Sequence, residues 1–480
     1  MPVIFLVTAV ASMLSPQAVR AQERSPRRPN ILVVLCDDLG YGDLACYGNA
    51  TIQTPHLDRL ASQGVRFSQC YAAAPVCSPS RAGLLTGRIP NRVGVYDWIP
   101  AGSEVHLPRD EISVAALLKQ AGYATAHVGK WHLCGKFNRE AHPQPADHGF
   151  DHWFSTQNNA APSHHNPRNF VRLGEPVGEL EGYSSALVAD EAIRWLDSRG
   201  DGGQAEKPFC LFVWFHEPHE PIASAEQYVE LYPEASKRGE ALYYGNVTQM
   251  DAAVGRLTSA LDERGLAEQT LVWFTSDNGP ETLNRYPSAW RSHGWPGELR
   301  GMKLHLYEGG IRVPGIVRWP GQVEAGQLSD EPICGVDLLP TLCEVAGVEP
   351  PDDRPIDGAS ILPVFQGQQL ERETPLYWQY GRALGGPKIA MRTGDWKLLA
   401  HVPPADGPGG NAQVQSKAHY AGGEPQRYEL YNLANDPRES LDLAEREPQR
   451  VRRLARRMRE LADELRADGP AWPVPSESPE

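Results

Sequence analysis

Oxygen-bearing side chains follow two apolar segments of this sequence. Asp37 and Asp38 come directly after the first of these segments. Asp277 and Asn278 follow the second segment, separated from it by Ser276. Carboxylate and amide oxygens without sulfur or imidazole suit Ca²⁺, and less well Mg²⁺, rather than Zn²⁺. Each pair alone could be a turn or a helix cap, but two such pairs after two strands favour a cation site.

A second chemical feature is Cys77, which lies among small and turn-forming residues rather than inside an apolar run. Ser78 and Pro79 predict a helix start with Ser78 as its N-cap, and Gly87 predicts the helix end. Free N–H groups at such a start favour an anion. Arg81, one turn later, would add a positive charge there. A plain helix start would not explain Cys77 and Arg81.

Two further apolar segments end in basic or imidazole groups. One runs into Lys130 and His132, and the other runs into His216 and His219. Lysine supplies positive charge, and histidine can give or take a proton near neutral pH. A single His or Lys near a strand end is more often an ordinary surface residue, so these groups matter only if the fold brings them together.

All four apolar segments are continuous rather than alternating, which is typical of strands buried on both faces of a parallel sheet. Helix-like stretches between them give the strand–helix alternation of an α/β protein. In open α/β sheets ligands bind beyond the carboxyl ends of the strands, so we expect the four reactive ends to converge on one cleft. The predicted strands are 31–36, 123–128, 209–215 and 271–275, and the predicted helices are 111–120, 184–197 and 242–264.

Short alternating segments replace the long apolar runs after about residue 363 and predict a smaller antiparallel sheet. A helix with an apolar stripe between Val451 and Leu465 follows them, and its arginines fit a solvated helix face. We therefore predict a catalytic domain at 28–362, an α+β domain at 363–470 and a disordered tail at 471–480. The predicted strands of the small sheet are 376–380, 388–392, 396–401 and 428–433.

The composition of the chain argues against several classes of protein. Its 480 residues are 41% hydrophobic and 22% charged, as in globular proteins with a buried core. The net charge of −14 argues against nucleic acid as a partner, and it would repel an anionic substrate unless positive charge were concentrated locally. The eight cysteines contain no CxxC pair, which argues against zinc ribbons and redox pairs. Beyond the N-terminus no apolar run approaches the ~20 residues of a membrane span.

The first 22 residues have the pattern of a targeting segment. An apolar run at 3–14 is followed by Val19-Arg20-Ala21, a small-x-small cleavage pattern before Gln22. No basic residue precedes the apolar run, and an ordinary N-terminal helix is the alternative. We predict a signal peptide at 1–22, and therefore a secreted or periplasmic protein.

The sequence around Cys77 resembles the signature of the type I sulfatases, such as arylsulfatases and N-acetylgalactosamine-6-sulfatases. Cys77-x-Pro79-x-Arg81, extended by Leu84-x-Thr86-Gly87, is similar to the motif whose cysteine a maturation enzyme oxidises to formylglycine. Other landmarks of the family follow in the same order. They are residues 37–38, 54–58, 113–118, 129–132, 276–279, 301–303, 308–310 and 428–433.

The resemblance implies an alkaline-phosphatase-like fold and a calcium-dependent sulfuric ester hydrolase. Hydrated formylglycine offers a geminal diol, so that one hydroxyl can attack sulfur and the other can later expel sulfate. The residues that would hold the ion, together with an oxygen of modified Cys77, are Asp37, Asp38, Asp277 and Asn278.

The resemblance also implies which residues move protons. His219 would protonate the leaving alcohol, and His132 would take the remaining hydroxyl proton of the diol. His216 occupies an equivalent His-x-Pro step and stays the alternative acid.

Three basic residues would neutralise the sulfate oxygens, namely Arg81, Lys130 and Lys303. Such a local cluster would overcome the repulsion between an anionic substrate and a chain of net charge −14. A sulfated carbohydrate is the expected substrate, with Trp153 and Phe170 of the loop at 136–183 as candidate contacts to a sugar ring.

Two other functions stay open from the sequence alone. A phosphatase, phosphodiesterase or phosphonate hydrolase would share the fold, but such enzymes normally carry Thr or Ser at the position of Cys77 and bind zinc with additional histidines. A secreted, calcium-stabilised glycan-binding protein would keep the fold with Cys77 unoxidised.

Overall fold

The computed structural model of the protein describes residues 28–200, 207–403 and 423–472. The predicted signal peptide at 1–22 lies outside these ranges. The strands, in chain order, are β1 (Asn30–Asp37), β2 (Val65–Tyr71), β3 (Ala124–Lys130), β4 (His152–Thr156), β5 (Val171–Arg172), β6 (Glu175–Pro176), β7 (Phe209–Pro218), β8 (Thr270–Ser276), β9 (Arg312–Arg318), β10 (Gln327–Ser329), β11 (Ile333–Cys334), β12 (Leu376–Gln379), β13 (Ile389–Thr393), β14 (Trp396–His401) and β15 (Arg427–Asn432).

Helices connect and cover these strands, and short 3-10 turns lie between several of them. The α-helices are α1 (Pro55–Ser62), α2 (Cys77–Thr86), α3 (Val114–Gln120), α4 (Ser184–Ser198), α5 (Glu226–Val229), α6 (Arg238–Glu263), α7 (Glu308–Ile311), α8 (Leu338–Ala346), α9 (Leu362–Phe365) and α10 (Pro448–Asp468). None of the helices in the described ranges combines the length and the hydrophobicity that crossing a bilayer requires.

The first eleven strands form one large mixed sheet in the order β10-β2-β9-β8-β1-β7-β3-β4-β5-β6, with β11 also paired to β2. Its central strands β8, β1, β7 and β3 are parallel neighbours. They are the four apolar segments of the sequence. Their carboxyl ends are level, because Cys36 of β1 pairs with Ser276 of β8 and Asp37 pairs with Pro218 of β7. The predicted convergence of these ends is confirmed.

The continuous apolar runs are explained by burial on both faces of the sheet. In β1, Ile31 and Val33 pack into a core cluster on one side, whereas Leu32 and Val34 pack into a separate cluster on the other. Side chains of α2, α3 and α8 complete the first cluster, and those of α1, α4 and α6 complete the second. A strand covered on both faces has no position for an exposed polar residue until it ends.

The small domain is a four-stranded antiparallel sheet in the order β12-β13-β14-β15, as the alternating segments predicted. The apolar stripe of α10 packs on one face of this sheet. Val364 and Phe365 of α9 pack instead with the core of the large sheet. The chain therefore passes from the large domain to the small domain between α9 and the start of β12.

The end of the described chain differs from the predicted disordered tail at 471–480. The indole N–H of Trp472 donates to the carbonyl of Gly94 at 2.6 Å, and its ring contacts that of His106 with centroids 4.8 Å apart. Residue 472 is thus packed against the large domain, whereas 473–480 lie outside the described residues.

Candidate active site

The carboxyl ends of the central strands open into a pocket of about 630 Å³. Both domains contribute to its wall, because residues 380–384 of the small domain face residues that follow the strands of the large sheet. The side chains that line it are Val76, Cys77, Trp98, His132, Asn158, Asn159, His219, Glu220, Pro221, Glu281, Arg285, Tyr286, Ser288, Lys303, Leu304, Tyr380, Arg382 and Leu384.

Cys77 is the first residue of α2 and is 3% exposed in the pocket. The N-cap is Val76 in extended conformation, so the prediction that Ser78 caps the helix is wrong. The Ser78 hydroxyl instead accepts the backbone N–H of Ile99 at 3.0 Å. Gly87 ends the helix at φ 70°, as predicted. Cys77 therefore stands at the positive end of a helix dipole.

A potential metal site surrounds this cysteine. The candidate ligand atoms of Asp37, Asp38, Cys77 and His219 all lie within 4.8 Å of one another, and the described residues contain no other such group of three or more. Oδ1 of Asp37 and Oδ1 of Asn278 are buried without a hydrogen-bond partner. Buried polar atoms are nearly always satisfied, so two unpaired oxygens beside this group fit an oxygen-liking divalent cation.

Asp277 adjoins this group through its hydrogen bonds. Its Oδ1 accepts the backbone N–H of Asp38 at 3.2 Å, and its Oδ2 accepts Nε and Nη2 of Arg81 at 3.0 and 2.8 Å. Arg81 also donates to the carbonyl of Lys130 at 2.8 Å, and its guanidinium lies over the ring of Trp214. These contacts fix the plane of a fully buried arginine.

The two predicted lysines bind the aspartates at the end of β1, Asp37 and Asp38. Lys130 Nζ donates to Oδ2 of Asp37, and Lys303 Nζ lies 2.7 and 2.8 Å from the two oxygens of Asp38. Lys130 reaches this position because Gly129 has φ 111°, and a Cβ there would stand 1.9 Å from the carbonyl oxygen of Trp214. Only glycine fits at this close approach of β3 to β7.

Burial and nearby charges shift the pKa values of the three buried aspartates in different directions. Burial opposes ionisation of Asp37, but Lys130 and the other positive groups outweigh it and hold the pKa of Asp37 well below its usual range. Burial raises the pKa of Asp38 to about 6 and that of Asp277 to about 7. It also raises the pKa of the Cys77 thiol to about 12. An unmodified Cys77 would thus be a protonated thiol, which is a poor nucleophile.

His132 has one imidazole nitrogen available for proton transfer. Its Nε2 lies 3.1 Å from the carbonyl of Ile99, which can only accept, so Nε2 carries the hydrogen. Nδ1 is buried without a partner and is therefore a bare acceptor. Burial, followed by the charge of Lys130, holds the pKa of His132 well below its usual range, so the ring is neutral.

His219 and His216 differ in their access to the pocket. His219 lines it and places Nε2 at 3.6 Å from Oδ2 of Asp38, while its Nδ1 contacts the carbonyl of Glu220. His216 is fully buried and bonds Thr156 Oγ1 at 2.8 Å. Burial and the charge of Lys303 lower the pKa of His219 to about 3.

Strained backbone marks the same place. Asp38, His132 and Leu304 are non-glycine residues with φ of 64°, 55° and 69°. Such conformations cost free energy and persist where the surrounding structure enforces them, often at functional sites. Here they turn the chain directly after β1, after β3 and next to Lys303.

The predicted sugar contacts at Trp153 and Phe170 are wrong. Trp153 is 4% exposed and Phe170 is fully buried, and Phe170 stacks on Phe154 within the core. The loop at 136–183 reaches the pocket only through Asn158 and Asn159. Its histidines are dispersed, and none belongs to the potential metal site.

Other pocket residues were not found by sequence reasoning. They come from loops far apart in the chain, and neither their types nor their spacing set them apart from ordinary surface residues. The aromatic and charged members of this set are Trp98, Glu220, Glu281, Arg285, Tyr286, Tyr380 and Arg382.

Comparison with known protein families gives two overlapping matches. The family model for sulfatases matches residues 29–348. A second model, for the C-terminal part of N-sulphoglucosamine sulphohydrolase, matches residues 297–406. Together they extend from β1 into the small sheet.

Known proteins resemble the chain over most of its length. It is 33% identical to steryl-sulfatase of Rattus norvegicus, across 90% of the chain and 87% of that protein. It is 35% identical to N-acetylgalactosamine-6-sulfatase of Mus musculus, across 79% of the chain and 72% of that protein. Among solved structures, Ps i-CgsB in complex with k-i-k-neocarrahexaose gives a TM-score of 0.77 at 26% identity, covering 92% of the chain and 93% of that structure.

The unpaired oxygens predict how the site responds to a divalent cation. We expect Ca²⁺ to raise the melting temperature of the protein, because a ligand that binds only the folded state stabilises it. The variants Asp37→Asn and Asn278→Ala should lose most of this increase, since each removes or weakens an oxygen ligand.

Thermal unfolding with and without Ca²⁺ measures this effect. Asp43→Asn is the control, because Asp43 is also buried but bonds Tyr243 and the backbone of Trp295 outside the pocket. An equal increase in all variants would contradict the assignment of the site.

Proposed function

This chain belongs to the sulfatase family of sulfuric ester hydrolases, and we propose that it removes sulfate from sulfated carbohydrates through an aldehyde made from Cys77. The observation that carries the proposal is the position of Cys77 at the start of α2, with its Sγ within 4.8 Å of carboxylate oxygens of Asp37 and Asp38. Oxidised to formylglycine by a maturation enzyme and hydrated, residue 77 would supply a geminal diol with one hydroxyl for attack at sulfur and one for the expulsion of sulfate. The match to the sulfatase family model supports this chemistry over that of a phosphatase, phosphodiesterase or phosphonate hydrolase.

Calcium is the proposed ion at the carboxylates. His219, the one imidazole near the group, is assigned below to proton transfer. The remaining donors besides residue 77 are carboxylate and amide oxygens, which is the ligand set of a hard cation, and Mg²⁺ would demand a tighter octahedral arrangement. Such an ion would lower the pKa of nearby hydroxyls and neutralise charge. The proposed ligands are Asp37, Asp38, Asp277, Asn278 and modified residue 77.

The sulfate group would be held by Lys130, Lys303 and Arg81. Lys130 and Lys303 lie on the two aspartates next to Cys77. Lys303 lines the pocket, whereas Lys130 is fully buried behind it, so an anion at residue 77 would be close to both positive charges. Arg81 is fixed by Asp277 and acts as a permanent charge rather than a mobile one. Preorganised charges of this kind stabilise the charge that develops on the sulfate oxygens in the transition state.

Two histidines are placed for the proton transfers. Nδ1 of His219 keeps its hydrogen on the carbonyl of Glu220, so Nε2 would have to be protonated when substrate binds and would then pass that proton to the oxygen of the leaving alcohol as the sulfur–oxygen bond breaks. Its pKa of about 3 reflects burial and Lys303, and the negative charge of a bound sulfate ester would raise that value. His132 would accept the remaining hydroxyl proton at Nδ1, its unpaired nitrogen.

The character of the pocket supports a carbohydrate substrate. Trp98, Tyr286 and Tyr380 offer aromatic surface, and Asn158 and Asn159 offer hydrogen bonds. Aromatic and amide groups together fit a sugar ring better than the fused apolar rings of a sterol. A relative named for N-acetylgalactosamine 6-sulfate and a neighbour solved with a neocarrahexaose support the same class.

We further propose that the protein is exported to the periplasm or the medium. The support is the apolar run and cleavage pattern of residues 1–22. Sequencing the N-terminus of the protein recovered outside the cytoplasm should give Gln22 or Glu23 as the first residue, directly after the cleavage pattern. Retention of Met1 would count against export.

Peptide mass spectrometry across residues 70–88 tests the nucleophile. After co-expression with a formylglycine-generating enzyme, we expect residue 77 to carry an aldehyde instead of a thiol. Cys77→Ala should release no sulfate above background and should fold normally, because it removes only one buried atom. Cys343→Ala, another buried cysteine remote from the pocket, should keep full activity.

An intact thiol at Cys77 in a folded, co-expressed protein would instead favour a non-catalytic glycan-binding protein.

A panel of sulfate esters tests the substrate class. We expect higher kcat/KM for sulfated mono- and oligosaccharides than for simple aryl sulfates, because more of the pocket wall contacts a sugar. Initial rates of sulfate release provide the comparison. Turnover of aryl sulfates without turnover of any sulfated sugar would refute the carbohydrate assignment and leave the sulfatase chemistry intact.

A further inference from the structure

The pocket contains a guanidinium group that the proposed sulfate chemistry does not use. We propose that Arg285 binds a second anionic group of the substrate, a carboxylate or another sulfate, on the saccharide that carries the scissile ester. This inference rests on the proposed function and narrows its substrate class to saccharides with at least two negative charges.

Arg285 is held in a fixed orientation in the wall of the pocket. Its Nε and Nη2 donate to the two oxygens of Glu281, each at 2.6 Å, and its guanidinium lies over the ring of Tyr286 at 4.9 Å. The side chain of Arg285 is 34% exposed, whereas that of Glu281 is 3% exposed. An arginine immobilised on one edge loses little entropy when it binds an anion.

The other edge of the guanidinium remains available for a ligand. Within the described part of the chain, Nη1 of Arg285 makes no hydrogen bond, although the residue lines the pocket. A guanidinium can bind a carboxylate or sulfate through two parallel N–H groups. Arg285 thus has an unused donor, and it lines the pocket in which a second anionic substituent would lie.

Glu281 connects this guanidinium to the sulfate-binding centre. Its Oε2 lies 3.8 Å from Nζ of Lys303, so Lys303 and Arg285 flank the same buried carboxylate. Two positive groups this close match two anionic substituents on one sugar or on neighbouring sugars. Arg285 thus has the position that a contact to a second anion requires.

The charge of the pocket wall also differs from that of the whole chain. Three basic side chains, Lys303, Arg285 and Arg382, line it against two acidic ones, Glu220 and Glu281. The chain as a whole carries a net charge of −14. Because Asp38 and Asp97 lie against Lys303 and Arg382, the wall is close to neutral, and a polyanionic ligand there is spared the repulsion that the net charge of the chain would exert.

A purely structural role of Arg285 would have a different signature. If Arg285 only held Glu281 and thereby Lys303, its loss would impair all sulfate esters equally, because Lys303 would contact the sulfate group common to them. Recognition of a second anion would affect only the substrates that carry one. The comparison of singly and doubly charged ligands separates the two roles.

The test uses the aldehyde-bearing protein and its Arg285→Gln variant. The ligands are nitrophenyl sulfate, N-acetylgalactosamine 6-sulfate, its 4,6-disulfate, and a disaccharide of glucuronic acid and N-acetylgalactosamine 6-sulfate. Each sugar is also measured as a competitor of nitrophenyl sulfate hydrolysis, so that a sugar that binds without turnover is still detected. The last two ligands distinguish a sulfate from a carboxylate as the second anion.

Arg264→Gln is the matched control. Arg264 also donates through Nε and Nη2 to one carboxylate, that of Asp197. It lies in a separate pocket at the amino ends of the strands, which Asn30 of β1 and Phe209 of β7 also line. Its loss should change neither the activity nor the preference among ligands.

We expect at least one doubly charged sugar to bind about 10- to 100-fold more tightly than the 6-sulfate, as a charge-assisted hydrogen bond would give. Arg285→Gln should abolish this preference, chiefly through KM or the inhibition constant, and leave nitrophenyl sulfate hydrolysis within about threefold of the parent protein. A parent protein without the preference, or a variant impaired equally for every ester, would overturn the inference. Absence of sulfate release from nitrophenyl sulfate and from every sugar by the parent protein would instead refute the proposed function.

Discussion

The site depends on the burial of three carboxylates together with three basic groups at the carboxyl ends of parallel strands. Arg81 lies against Asp277, Lys130 against Asp37 and Lys303 against Asp38. Buried charges are tolerated only when they are paired, so each acid requires its base and each base its acid. The network therefore holds the candidate cation site and the basic groups proposed to bind sulfate in place before either ligand binds. The nearly neutral balance also explains how a chain of net charge −14 can hold a sulfate ester.

The small domain completes the site that the large sheet begins. The backbone N–H of Leu384 donates to the carbonyl of Leu304 at 2.8 Å, directly after Lys303. Below this contact Lys397 is fully buried between Glu308 and Glu439, at 2.8 and 2.9 Å. Breaking such a buried ion pair is costly. The pair therefore fixes the position of the small domain relative to the large domain next to Lys303. The wall that would select the saccharide thus belongs to both domains, whereas the groups around the sulfate belong to one.

Sequence reasoning succeeded where local pattern and topology agree. An apolar run that stops at Asp37 or at Lys130 predicts a buried parallel strand and the edge at which its last side chain lies, because parallel strands end on the same side. It failed where a side chain had a non-local alternative. Ser78 was predicted to cap a helix but bonds the backbone of Ile99, and Phe170 was predicted to face a sugar but stacks in the core. Neither partner is adjacent in the chain.

The sequence by itself determined the fold class, the four strand ends and the motif around Cys77, because burial on both faces and the dipole of a helix start act within single elements. Only the tertiary structure decided that His219 rather than His216 reaches the pocket, that Nδ1 of His132 is the unpaired nitrogen, and which loops form the wall. Arg285 belongs to that last group. The position of a side chain on a loop depends on packing between segments that are distant in sequence, and no periodicity within the loop encodes those contacts.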